Sequence, residues 1–222
     1  MTEDHTTIRE SGPFLGAKRK ILILFAHPSY DRSEVNAPMF EAAKNLDGIT
    51  AVDLYAEYPD MRIHVETEQQ RLREHQVVVF QHPLYWYSTP AILKQWQDLV
   101  LEYGFAYGHD GTELHGKIFF DATTAGGLEE AYRDEGYNHF TIGDLLHPIE
   151  QTANLCGMRY LPPFALFGSR KAIEEGRCSG HVADWVRLLE ALRDGRLDLK
   201  KARTLVKLND DLDAIIQGER NG

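Results

Sequence analysis

Residues 21–25, Ile-Leu-Ile-Leu-Phe, form an unbroken apolar run directly behind a basic stretch. A strand wetted on one face alternates apolar and polar residues. A short continuous run instead marks a strand covered on both faces, the condition of a parallel sheet. Such a strand needs parallel neighbours on either side and helices above and below.

The rest of the chain supplies them. Further strands are predicted over 50–55, 76–80, 117–122 and 158–167, the last carrying Pro162 and Pro163 and so placed at an edge. Helices are predicted over 35–46 (Ser33 or Asn36 as N-cap), 66–75, 90–103 (Thr89 as N-cap), 142–156, 181–193 and 202–216. Strands alternating with helices, joined by right-handed crossovers, give an α/β fold with helices on both faces. Five strands fit the flavodoxin-like order 2-1-3-4-5 of a doubly wound parallel sheet better than a six-stranded dinucleotide fold.

With 222 residues, the chain suits one domain with a single sizeable core. We expect a flexible N-terminal arm over 1–19, the doubly wound α/β domain over 20–195 and a C-terminal helical extension over 196–222. The first twenty residues lack an apolar core segment and do not read as a secretory signal. The two cysteines, Cys156 and Cys178, are not at redox or metal spacing, which suits a reducing cytoplasm. A net charge of −10 argues against broad nucleic-acid binding and against direct docking on an anionic membrane.

Ligands of open α/β sheets bind beyond the carboxyl ends of the strands where strand order reverses, here between strands one and three with strand four beside them. Neither G-x-G-x-x-G nor a GK[ST] phosphate loop follows any strand. Strand one instead leads to "AHPSYDRSEVN", in which His27, Ser33 and Asn36 feed a helix N-terminus suited to a phosphate. For that segment alone, a helix cap is the plainer reading of Ser33. Strand three leads to Pro83, which fixes the backbone, and to Leu84, Tyr85 and Trp86, which can line a slot for a planar ring. Strand four leads to Thr123, Thr124, Gly126 and Gly127, where glycine lets the backbone approach a ligand closely. Their coincidence at one end of neighbouring strands favours a planar, phosphate-bearing cofactor.

The segments "AHP" at 26–28, "HPLYWYSTPAILKQWQDLVLEYGFAYG" at 82–108, "TTAGG" at 123–127 and "HPIEQTANLCGMRYLPPF" at 147–164 resemble the flavodoxin-like NAD(P)H:quinone oxidoreductases, the DT-diaphorase group. The likeness is greatest to the ancillary flavoproteins of the glutathione-gated potassium efflux (Kef) systems. The resemblance implies a non-covalent FMN or FAD, NAD(P)H as co-substrate and ping-pong transfer to a quinone. It implies that His27, Ser33 and Asn36 serve the phosphate and ribityl end. Pro83, Leu84, Tyr85 and Trp86 would flank the flavin ring, with Thr123, Thr124, Gly126 and Gly127 opposite. It also implies a Tyr, matched by Tyr132, and a His six residues on, where this chain has Asn138 followed by His139. Asn can donate a hydrogen bond but does not relay a proton near neutrality; a one-residue shift would put His139 in that role. A homodimer is implied, with Trp96 and the 105–107 aromatics as either interface or core.

A regulatory subunit of a membrane potassium/proton antiporter, held at the inner membrane through that partner and with little turnover of its own, is the alternative reading. A hydrolase or metalloenzyme lacks its motifs here. His64, His75, His109, His115 and His181 read as surface or loop residues, Glu129 and Glu130 as a solvated pair, and Cys156 as inert core.

Overall fold

The computed structural model describes residues 18–218; most of the arm expected over 1–19 lies outside them. The strands are β1 (Ile21–Phe25), β2 (Ile49–Asp53), β3 (Val77–Pro83), β4 (Ile118–Thr124), β5 (Arg159–Tyr160) and β6 (Phe164–Leu166). The sheet runs β2-β1-β3-β4-β5, with β6 also on β4 and every pairing parallel.

The two edge pieces correct the expected fifth strand. β5 pairs with the start of β4 and β6 with its end, separated by Leu161, Pro162 and Pro163. Proline has no N–H to give to the ladder, so the strand breaks there. β3 and β4 run further than their apolar cores suggest. Gln81, His82, Thr123 and Thr124 continue the ladder, which seats Pro83 and both threonines at strand ends rather than in loops.

The helices are α1 (Asn36–Lys44), α2 (Leu54–Glu57), α3 (Val65–Glu74), α4 (Ala91–Val100), α5 (Ile142–Leu155), α6 (Ser169–Glu174), α7 (Arg177–Arg193), α8 (Leu199–Ala202) and α9 (Leu212–Ile215). Alternate strand residues point to opposite faces. Leu22, Leu24, Val78, Phe80 and Phe119 pack with Leu72, Trp96 and Leu146 of α3, α4 and α5. Ile21, Ile23, Val77, Val79 and Phe120 pack with Met39 of α1 and Trp185 and Leu188 of α7. Trp96 is therefore core: it is 1% exposed, and its Nε1 donates to Glu68 Oε2 at 2.8 Å. That buried carboxyl also accepts from Tyr58 at 2.6 Å and from Arg71.

The expected helix over 202–216 is instead two short helices and a 3-10 turn, Leu208–Asp210. Asp198 accepts from the backbone of Lys200 and Lys201, and Asp211 from Ala214. Each aspartate starts a new helix, a competition that cuts a continuous one into pieces. The extension folds back onto this chain's own core through Leu208, Leu212 and Ile215.

Two histidines expected at the surface are buried, His75 and His181. His181 stacks on Phe164 at 4.4 Å, and its Nε2 has no hydrogen-bond partner among the described residues. Burial, helped by Arg177, lowers its pKa to about 4. The unfolded chain therefore takes up this proton at a higher pH than the folded one. The stability at stake is complete above about 6.5 and is lost as pH falls toward 4, up to about 3 kcal/mol. Urea midpoints compared at pH 7 and pH 4.5 should fall less in His181→Leu than in the wild type; equal falls contradict this assignment.

Candidate active site

The carboxyl ends of β1, β3 and β4 meet where strand order reverses, and the three predicted segments converge there. From β1, His27 is 7% exposed and its Nδ1 accepts the Ser29 N–H at 3.2 Å. The imidazole proton thus resides on Nε2 as a donor, and burial lowers the His27 pKa, keeping the ring neutral near pH 7. Ser33 Oγ accepts the Ala37 N–H at 3.0 Å, so it helps satisfy the start of α1, although Val35 occupies the N-cap position. Asn36 is the first helical residue rather than the cap. Its Nδ2 donates to Thr124 Oγ1 at 2.7 Å, while its carbonyl accepts from Gln81 Nε2 at 2.7 Å. These bonds tie the three segments together.

Beyond Pro83, the Leu84 N–H bonds the Thr124 carbonyl at 2.8 Å. Tyr85 and Ser88 then exchange two backbone hydrogen bonds at 3.0 Å around a two-residue turn. Its central residues, Trp86 and Tyr87, have φ of 49° and 62°. Two bulky aromatics in the left-handed region cost roughly 1–3 kcal/mol each, and strain of this kind gathers at functional sites. The turn explains how three adjacent aromatics avoid the core. Trp86 is 94% exposed, while Tyr85 edges onto His27 at 6.0 Å.

Across from this hairpin, Tyr87 donates to Asn138 Oδ1 at 3.2 Å. Burial, then the proximity of Tyr87, raises the Tyr132 pKa, against hydrogen bonds from the Gly127 backbone and the Asn138 side chain. Asn138 thus stands at the Tyr132 hydroxyl. His139 is exposed, with φ of 59°, and takes no part in this contact. A Cβ on Gly127 would lie 3.1 Å from the Tyr132 ring, whereas one on Gly126 meets nothing within 4 Å.

The site fits a polar-edged planar cofactor on one further count. Asn36 Oδ1, Gln81 Oε1 and Thr123 Oγ1 are buried at these strand ends without a hydrogen-bond partner among the described residues. Such atoms are rare unless something else satisfies them. Gln81 left no signal in the sequence, and a triad behind the site, in which His82 and Asp121 are fully buried and Tyr160 is partly so, left almost none. His82 Nε2 lies 3.2 Å from Asp121 Oδ1, and Tyr160 donates to Asp121 Oδ2 at 2.9 Å. An aspartate set directly after Ile118-Phe119-Phe120 in an apolar strand was the one available signal. Cys156 is buried core as expected, its thiol pushed up to about 11 by burial.

A family model described as flavodoxin-like fold matches residues 19–189. The glutathione-regulated potassium-efflux system ancillary protein KefG of Serratia proteamaculans is 47% identical over 170 residues, covering 76% of this chain and 93% of its own. The general stress protein 14 of Treponema denticola, solved in complex with FMN, is 37% identical with a TM-score of 0.73, covering 78% and 99%. A structure from P. pentosaceus described as an NADPH-quinone reductase is 31% identical with a TM-score of 0.67, covering 77% and 97%.

Proposed function

The chain belongs to the flavodoxin-like fold family, and from that membership we propose that it is a flavin-dependent NAD(P)H:quinone oxidoreductase working through FMN. The observation that carries this reading is the strained Trp86–Tyr87 hairpin facing Tyr132 and Asn138 at the switch point of the sheet. The FMN bound by the Treponema relative supports the choice of cofactor. When bound, the flavin supplies the redox chemistry, taking two electrons from NAD(P)H and passing them to a quinone in a second half-reaction.

The chain's own groups bind and orient. His27 Nε2–H, Ser33 and Asn36 hold the phosphate and ribityl end. Pro83, Leu84, Tyr85 and Trp86 flank one edge of the ring, and Thr123, Thr124, Gly126 and Gly127 the other. Tyr132 and Asn138 donate hydrogen bonds toward charge that develops there. His139 lies outside this set. The exposed aromatics Trp86, Tyr103, Tyr137 and Phe140 suit a homodimer interface at the site; sedimentation as a monomer at micromolar concentration would remove that element. The expected placement is cytoplasmic. Among the described residues no helix is long and apolar enough to cross a membrane.

The identity with KefG favours a second reading, a regulatory subunit of a potassium/proton antiporter that holds flavin with little turnover. NADPH oxidation with a small quinone by FMN-loaded protein separates the two. Parallel double-reciprocal lines support the oxidoreductase. Bound flavin with negligible quinone reduction supports the regulator.

A further inference from the structure

The C-terminal extension lies beyond the matched residues 19–189, yet it contacts segments that adjoin the candidate site. Its 3-10 turn caps the open edge of β6. The Leu208 N–H bonds the Pro163 carbonyl at 2.9 Å, and the Asn209 side chain takes the Ala165 N–H at 2.9 Å and gives to its carbonyl at 3.0 Å. β6 in turn pairs with Ala122, Thr123 and Thr124 of β4. The extension thus holds the strand beside Thr123 and Thr124 of the proposed flavin contacts.

One residue earlier, Lys207 is 7% exposed. Its ammonium bonds Glu129, lies 3.0 Å from Asp210 and sits 5.4 Å over the Phe167 ring. Phe167 packs against Tyr132 at 5.0 Å. Glu129 is solvent-exposed as expected and is also paired with Lys207; it lies on the segment that carries Tyr132, whose N–H bonds the Glu129 carbonyl at 3.0 Å. A cleft of about 470 Å³ is lined by Leu128, Glu129 and Glu130 together with Lys207, Asn209 and Asp210, and the Lys207–Glu129 pair lies in it.

We propose that Lys207 is a positioning residue for Tyr132. The extension clamps loop 127–138 through the Lys207–Glu129 pair and the Phe167 ring, and so fixes the phenol at the site. This rests on the functional reading of Tyr132 given above. Lys207→Met keeps the apolar stem over Phe167. It strands no buried charge, because Glu129 and Asp210 both retain solvent contact.

The test uses full-length, FMN-loaded protein and two readouts. The first is hydrogen exchange of peptides covering 128–139, whose Ala131, Tyr132 and Asn138 amides are hydrogen-bonded within the loop. The second is kcat with a small quinone beside the FMN affinity. In Lys207→Met, loop exchange should rise by about tenfold or more and kcat should fall by about tenfold. FMN affinity should stay within about threefold. Lys207→Arg should restore both readouts, and Glu129→Gln should shift them the same way should Lys207→Met fold poorly. Unchanged loop exchange overturns the clamp. Faster exchange with unchanged kcat overturns the positioning role. Absence of turnover in the wild type sinks the functional reading instead, and the clamp then stands or falls on exchange alone.

Discussion

Asp121→Ala should lower the unfolding free energy by about 2–4 kcal/mol, because it leaves two donors without their acceptor at roughly 1–3 kcal/mol each. Asp121 is fully buried at the centre of β4 and joins three strands, accepting from His82 on β3 and Tyr160 on β5. Alanine would leave the fully buried imidazole and the partly buried phenol without their acceptor. Burial, then Asp121 itself, raises the Tyr160 pKa far above its ordinary value, so the phenol remains a neutral donor at any working pH. Tyr160→Phe removes one donor and spares the other, and should cost only about 1 kcal/mol. The effect should also reach the site. His82 directly precedes Pro83 and pairs in register with Thr123, so FMN affinity should weaken with stability in Asp121→Ala. Urea titration followed by tryptophan fluorescence reads the first effect, and a loss below about 1 kcal/mol would mean the triad is not the brace described.

Tyr132→Phe should cut kcat for quinone reduction by roughly 10²-fold, the cost of one lost donor to developing charge. FMN affinity should barely change, because the tyrosine is not among the phosphate or strand-end contacts. The phenol donates while neutral, and its pKa lies above the ordinary 10.0. Activity dependent on it should therefore hold through neutral pH and fall only as pH rises beyond that raised value. Asn138 bears no titrating proton, so it contributes no pH limb. Asn138→His should introduce one near about 6.5, that of an ordinary imidazole. Wild-type turnover with a limb near that value, surviving in Asn138→Ala, would mean that another histidine supplies the proton and that Asn138 is not the partner of Tyr132.

The sheet was legible because β1, β3 and β4 are buried on both faces, and a run such as Val77-Val78-Val79-Phe80 admits little else. The break in the last strand was half legible: Pro162 and Pro163 announced an edge, and the ladder shows that they also interrupt it. Helical periodicity misled at 202–216, where Asp198 and Asp211 cap short pieces. The three site segments were readable from topology, since each follows a strand at the switch point. The conformation of Trp86 and Tyr87 was not, because left-handed backbone is signalled by glycine or asparagine and neither is present. Contacts remote in the chain left no local pattern, such as His82 with Asp121 or Lys207 with Glu129. Nor does the residue type alone reveal that His75 and His181 are buried.

The central claim is that the ends of β1, β3 and β4 form a flavin site. The most direct measurement is titration of the purified protein with FMN, followed by visible absorbance and fluorescence. The account predicts saturable one-to-one uptake with a perturbed flavin band, weakened in Asn36→Leu and Thr123→Val, which remove Asn36 Oδ1 and Thr123 Oγ1, buried atoms without a partner among the described residues. No uptake, or uptake indifferent to both substitutions, would contradict it.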